Sequence, residues 1–171
     1  MRTLILGGAR SGKSAQAERL AAEYDAVLYI ATAAAGDDEM AARIDHHRRR
    51  RPEHWQLSET PLHLAATLRK EAHVARCLLV DCLTLWLSNL LCSGDETLFE
   101  QERAALLDAV SSCPGKLVLV SNEVGQGVVP LGALSRRFVD EAGRLHQDIA
   151  ARCDRVIFMT AGLPQLIKGT L

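Results

Sequence analysis

Paired cysteines, a charge bias, long apolar runs and repeats are all missing from this 171-residue sequence, and each absence removes a class of protein. The five cysteines, Cys77, Cys82, Cys92, Cys113 and Cys153, are odd in number, widely spread and without a C-x-x-C pair. A disulfide framework or zinc site is therefore not expected, and a reducing, cytoplasmic compartment is the simplest setting. The formal net charge is −1, so the chain as a whole has no electrostatic bias toward nucleic acid or anionic membrane. No apolar run reaches the roughly 20 residues that a membrane-spanning helix needs. The first strand starts so near Met1 that no secretory leader is expected. With no repeat, low-complexity tract or linker, the length fits one domain, residues 1–171, able to bury a substantial core.

What is present is concentrated in the first fifteen residues. Thr3 to Leu6 is a short apolar run that reads as a buried strand. Gly7-Gly8-Ala9-Arg10-Ser11-Gly12-Lys13-Ser14 follows directly and satisfies the phosphate-loop pattern G-x-x-x-x-G-K-[ST], with a helix expected over Ala15 to Tyr24. Glycines let the backbone curl so that successive N–H groups converge on phosphate oxygens, and the helix start adds its positive dipole end. Lys13 is placed to reach the β- and γ-phosphates, and the Ser14 hydroxyl to bind Mg²⁺. A nucleoside triphosphate site is the expectation.

Ala26 to Ala31 reads as a second buried strand, ending in a loop of small residues, Thr32 to Gly36. In a parallel sheet such a loop lies at the carboxyl edge, where ligands bind. Trp55 to Glu59 reads as a short extended segment. Thr60 and Pro61 are expected to cap and open another helix. Glu59 before them is either a surface carboxylate or a ligand contact. Cys77 to Leu83 reads as a third strand in a Walker-B-like pattern, whose Asp81 would emerge beside the phosphate loop and hold Mg²⁺ through water. Helices are expected over Thr84 to Leu91 and Thr97 to Ser111, with Leu98, Leu106, Leu107 and Val110 as core. Lys116 to Val120 is a further strand, and the Ser121-Asn122-Glu123-Val124-Gly125 run after it resembles a sensor of bound phosphate or of an attacking hydroxyl, or else caps the next segment. A helix over Leu134 to Arg152 carries Leu134, Phe138, Ala142, Leu145 and Ile149 as a packing face, with Arg136 and Arg137 turned elsewhere. Arg155 to Met159 is the last expected strand, and the Gly162-Leu163-Pro164 tail reads as irregular. Strands alternating with helices give an α/β fold of the phosphate-loop NTPase kind, a mostly parallel sheet covered by helices on both faces.

Between the second strand and Trp55, a helix is expected from Asp37 to about Arg51, closed by Pro52. Its second half is Arg43-Ile44-Asp45-His46-His47-Arg48-Arg49-Arg50-Arg51. Helical spacing aligns Met40, Ile44 and His47, with Arg43 and Arg51 each four residues from His47. Neighbouring positive charge lowers an imidazole pKa and favours the neutral, nucleophilic form. On these residues alone, a solvated basic face or a nucleic-acid contact stays open, since charge runs usually lie in water.

Taken together, GGARSGKS, YIAT, DDEMAARIDHHRRRRPEHW, LLVDCLTLWLSNLL, LVLVSNEVGQGVVP and FVDEAGRLHQDIAARCD resemble the bifunctional adenosylcobinamide kinase / adenosylcobinamide-phosphate guanylyltransferase family of cobalamin biosynthesis. The resemblance implies two reactions. ATP or GTP phosphorylates the aminopropanol hydroxyl of adenosylcobinamide. GTP then donates GMP to a histidine, and from there GMP passes to adenosylcobinamide phosphate, giving adenosylcobinamide-GDP. The family's nucleotide contacts fall on Gly7 to Ser14 (Gly7, Gly8, Ala9, Arg10, Ser11, Gly12, Lys13, Ser14), on Thr32, Ala33 and Ala34, on Arg48, Arg49, Arg50 and Arg51, and on Glu59 and Asp81. Its guanylylated histidine falls on His47. The resemblance also implies Mg²⁺ at Ser14 and Asp81, and a homo-oligomer, a trimer. The phosphate loop without it fits a small-molecule kinase of another pathway, or a nucleotide-switched binding protein.

Overall fold

The computed structural model describes residues 1–33 and 52–170. Ala34, the helix expected over 37–51, and with it His47 and Arg48 to Arg51, lie outside the described residues.

In chain order the elements are β1 (Arg2–Gly7), α1 (Lys13–Ala21), β2 (Ala26–Ala31), β3 (Gln56–Glu59), α2 (Leu64–Glu71) and β4 (Arg76–Asp81). Then come α3 (Leu83–Ser93), α4 (Glu96–Ser112), β5 (Lys116–Val120), α5 (Ala133–Arg152), β6 (Arg155–Thr160) and β7 (Leu163–Lys168). The strands form a single sheet in the order β3-β2-β4-β5-β1-β6-β7. Neighbours from β3 through β6 run parallel, and β7 returns antiparallel to β6.

Alternation along the strands feeds two cores. Leu4, Leu28, Ile30, Leu78, Val80, Leu117 and Leu119 face one side, where Leu64 and Leu68 of α2, Trp86 and Leu90 of α3, Leu106 and Val110 of α4 and Leu145 of α5 cover them. Ile5, Val27, Tyr29, Leu79, Val118 and Ile157 face the other, under Ala17, Leu20 and Ala21 of α1. Strands apolar on both faces are what a parallel sheet buried between helices requires.

Several boundaries differ from the sequence reading. Helix α1 ends at Ala21, with Tyr24 turned back to donate from its N–H to the Ala21 carbonyl at 3.1 Å. No helix starts at Thr60: its N–H extends the β2–β3 ladder to the Ala31 carbonyl at 2.7 Å, and α2 begins only at Leu64. The intervening turn is held by α3, whose Trp86 indole donates to the Leu62 carbonyl and whose Asn89 amide donates to Pro61. Strand β4 stops at Asp81, because Cys82 is the N-cap of α3 and Leu83 its first residue. In α5, Ala142, Leu145 and Ile149 are buried as expected, but Leu134 in the first turn is exposed. Arg137 is spent within the chain, donating to both Glu96 carboxylate oxygens at 2.6 Å over the Phe99 ring.

The tail is the largest correction: it is a strand. Ala161 and Gly162 have φ of 52° and 82°, the positive pair of a two-residue hairpin turn, and Leu163–Lys168 then pairs back along β6. Pro164 is tolerated because β7 is an edge strand.

Asn89 ties the sheet edge to this scaffold, donating to the Thr32 carbonyl at 2.9 Å and the Pro61 carbonyl at 3.0 Å. Asn89→Ala leaves both acceptors without that donor, and a loss of about 1–3 kcal/mol is expected. A urea midpoint lowered at unchanged slope is the check.

Candidate active site

Gly7 to Ser14 form a loop between β1 and α1 whose shape requires glycine at positions 7 and 12. A Cβ at Gly7, where φ is +151°, would lie 2.6 Å from the Met159 carbonyl oxygen and 2.7 Å from Ser11 Oγ. Gly12 has φ +94°, and a Cβ there would meet Gly162 Cα at 3.2 Å. The tip of the β6–β7 hairpin thus braces the loop, and Gly162 N–H donates to the Ser11 carbonyl at 3.0 Å. Gly8, Ala9 and Arg10 are exposed, while Ser11 and Lys13 are buried and Ser14 is half-buried at the start of α1. The Lys13 ammonium crosses the loop to donate to the Gly8 carbonyl at 2.6 Å. Burial lowers its pKa, with the charges of Cys82 and Asp81 acting in the opposite sense.

Strand register sets a row of residues beside the loop. Glu59 aligns with Ala31, Ala31 with Asp81, Asp81 with Val120, and Val120 with Ile5. At about 4.8 Å per strand, Asp81 stands roughly 10 Å from Ile5 across β5, and Glu59 roughly 10 Å from Asp81 on the other side. Asp81 Oδ2 accepts from the Tyr29 hydroxyl at 2.9 Å. Thr32 is buried, and its hydroxyl clasps the next turn: it donates to the Cys82 carbonyl at 2.6 Å and accepts from Cys82 N–H at 2.9 Å.

Beyond β5 the chain stays against the loop. Ser121 N–H donates to the Ile5 carbonyl at 3.0 Å and Glu123 N–H to the Gly7 carbonyl at 2.9 Å. Asn122 donates to Thr84 Oγ1 at 3.0 Å. Ser121 Oγ is 2.7 Å from Nε2 of His146, a buried residue of α5. A tight glycine loop with a lysine folded into it, opening a helix, and a strand-end aspartate beyond one intervening strand, make a site suited to the phosphates of a nucleotide.

Comparison with known proteins gives this geometry a family. The sequence model of cobinamide kinase / cobinamide phosphate guanyltransferase matches residues 3–167. The chain belongs to this family. Among the cobinamide kinase / guanyltransferase relatives, the bifunctional adenosylcobalamin biosynthesis protein CobP of Pseudomonas aeruginosa is 66% identical over 170 residues, covering 99% of this chain and 98% of that protein. The CobU proteins of Escherichia coli K12 and Salmonella typhimurium LT2 are 42% and 44% identical over 181 residues, each covering 98% of this chain and 100% of its relative. Two solved structures share the fold at low identity. An ATPase from the type III secretion system of pathogenic bacteria has a TM-score of 0.58 at 12% identity over 93% of this chain, which spans only 51% of that one. A Pyrococcus horikoshii OT3 protein, PH0250, has a TM-score of 0.54 at 8% identity, covering 99% of this chain and 87% of that one.

Within the cobinamide kinase / guanyltransferase chain, Gly7 to Ser14 and Asp81 come together at one end of the sheet, with Thr32 and Ala33 at the end of β2 next to Asp81. Glu59, exposed at the edge strand, stands apart from the loop by the width of the sheet between β3 and β1. His146 was not singled out by the sequence reading. It falls on the same helical stripe as Ala142, Leu145 and Ile149, where a polar residue marks a buried partner, and that spacing was the available signal.

Proposed function

We propose that this chain catalyses both reactions named by its family, at one nucleotide site within a single domain. It phosphorylates the aminopropanol hydroxyl of adenosylcobinamide with ATP or GTP. It then transfers GMP from GTP, through a covalent guanylyl-histidine at His47, to adenosylcobinamide phosphate. The observation that carries this reading is the loop itself: Lys13 held at the Gly8 carbonyl, braced by Gly162, with Asp81 beyond β5. Nucleotide contacts are assigned to Gly7 to Ser14, Thr32 to Ala34, Arg48 to Arg51, Glu59 and Asp81. The enzyme works in the cytoplasm as a homo-oligomer, a trimer. Among the described residues, no helix is long and apolar enough to cross a membrane.

The donors fit Mg²⁺. No cluster of three or more His, Cys, Asp or Glu side chains forms a metal cage among the described residues. One carboxylate and one hydroxyl, Asp81 and Ser14, are instead the hard-oxygen set that a magnesium held mainly by phosphates and water uses. When bound, the ion offsets charge on the transferred phosphoryl group. The chain's own part is positional and electrostatic. Loop amides and the Lys13 ammonium surround phosphate oxygens, and their attraction grows as charge develops in the transition state. For guanylyl transfer, imidazole attack at the α-phosphorus with loss of pyrophosphate divides one hard step into two easier ones.

Adenosylcobinamide incubated with γ-labelled ATP tests the kinase half: label is expected in the corrinoid, and its absence would contradict the reading. Asp81→Asn keeps the side chain's shape and removes its charge, so the same assay is expected to fall by about 100-fold, with the melting temperature little changed. Full turnover of that variant at limiting Mg²⁺ would place the metal-side carboxylate elsewhere.

A further inference from the structure

Phosphoryl transfer to an alcohol releases a proton, and the described loop contains no base to take it. Among the described residues, three carboxylates end or follow strands at this edge of the sheet: Glu59, Asp81 and Glu123. Glu59 lies at the exposed edge strand, and Asp81 accepts from Tyr29 on the metal side of the site. Glu123 is nearest the loop in connectivity. Its N–H donates to the Gly7 carbonyl at 2.9 Å, while Lys13 donates to the next carbonyl, Gly8, at 2.6 Å. The lysine and this glutamate are thus fixed on consecutive peptide units, about 3.8 Å apart along the backbone.

The carboxylate itself is held yet open. Oε1 accepts from Gly125 N–H at 2.7 Å, Oε2 lies 3.7 Å from His146 Nδ1, and the side chain is 21% exposed. Behind it, His146 and Ser121 are closed off from solvent. Ser121 is 0% exposed, so the Ser-His-Glu set cannot serve as a hydrolytic triad. The ring's Nδ1 has no hydrogen-bond partner among the described residues, and the group it faces is Glu123. Burial lowers the His146 pKa, Glu123 acting in the opposite sense, which favours a neutral ring. In the tautomer in which the Ser121 hydroxyl donates to Nε2, one of the two that this contact allows, the ring proton sits on Nδ1 and is directed at the carboxylate.

We propose that Glu123 is the proton acceptor of the phosphoryl-transfer step and that His146 is the residue that positions it. This rests on the kinase reading above. As the hydroxyl oxygen bonds to the γ-phosphorus, the bond from that phosphorus to the β–γ bridging oxygen breaks, and its electron pair leaves with ADP. The hydroxyl proton passes to Glu123 and from its exposed side to water. Base catalysis of this kind contributes about 100- to 10,000-fold.

The test is steady-state phosphorylation of adenosylcobinamide by ATP, with ATP affinity measured separately. Glu123→Gln is expected to lower kcat about 100-fold while the ATP Kd stays within about 2-fold. His146→Gln, which reaches Ser121 but not Glu123, is expected to lower kcat about 10-fold at unchanged KM for ATP. His146→Asn, which retains a donor at the Nδ1 position, recovers most of that loss. Glu123→Gln turning over within about 3-fold of an active wild type would overturn the inference alone. So would a loss carried wholly by ATP affinity, since Glu123 would then shape the loop and not the chemistry. A wild type inactive toward adenosylcobinamide would overturn the kinase reading and this inference together.

Discussion

His47→Ala is expected to form no covalent GMP adduct, while still phosphorylating adenosylcobinamide with ATP. Arg43 and Arg51 each stand four residues from His47, so the helix expected over 37–51, which lies outside the described residues, would place both guanidinium groups on the His47 face. In that helix their charge would favour a neutral imidazole at His47, and the same groups could hold the phosphates it is proposed to attack. His46 is the natural control. Adjacent helical residues point about 100° apart, so the two rings cannot both face one nucleotide. His46→Ala is therefore expected to label nearly as the wild type does. Label from α-labelled GTP, acid-labile and base-stable, located by peptide mapping, separates the two. Label on His46, or an unchanged adduct in His47→Ala, would place the nucleophile one residue away.

Lys13→Ala is expected to lower the rate of phosphoryl transfer by roughly 100- to 1,000-fold. The ammonium is buried and donates to Gly8 inside the loop, so its position is fixed before the phosphates arrive. Removing a preorganised donor that strengthens in the transition state costs this order of rate. The same substitution also removes a desolvated charge from a buried site, so the melting temperature is expected to hold or rise. Activity and stability moving apart is the signature; a parallel fall in both would mean that Lys13 builds the loop and does not act in it. Lys13→Arg is expected to fail as well, because a planar guanidinium does not fit the space of a compact ammonium.

The parts of this fold that were legible in the sequence are those where one local rule dominates. Ala26–Ala31 and Lys116–Val120 are short apolar runs between turns, and their boundaries match the strands observed. The parts that were not legible depend on partners distant in the chain. Thr60-Pro61 carries a helix-start pattern, yet the ladder bond to Ala31 and the hold of Trp86 and Asn89 on Leu62 and Pro61 keep that stretch a strand end and turn, with no helix before Leu64. Leu163-Pro164 looks irregular beside a glycine and a proline, but pairing with β6 across the Ala161-Gly162 turn makes it a strand. Leu134 fits the apolar period of α5 and is still exposed, because the first turn of that helix extends past the core. In the site, the loop was readable from its spacing alone. Its bracing by Gly162 was not, since that contact joins Ser11 to a residue 151 positions away. The Ser121–Glu123 run was visible as polar residues after a core strand, whereas its buried partner His146 was hidden in a helical packing stripe.

The central claim is that one chain performs two different transfers, and the most direct measurement follows the α- and γ-phosphates of GTP in a single experiment. Wild-type protein is incubated with GTP labelled separately at the α and γ positions and denatured; one parallel sample is given adenosylcobinamide, and another is chased with adenosylcobinamide phosphate, before denaturation. The account predicts α-label bound covalently to the protein, no γ-label bound, γ-label in the corrinoid of the adenosylcobinamide sample, and loss of the α-label to the corrinoid during the chase. Protein that retains no α-label, or an α-labelled adduct that adenosylcobinamide phosphate does not discharge, would contradict it.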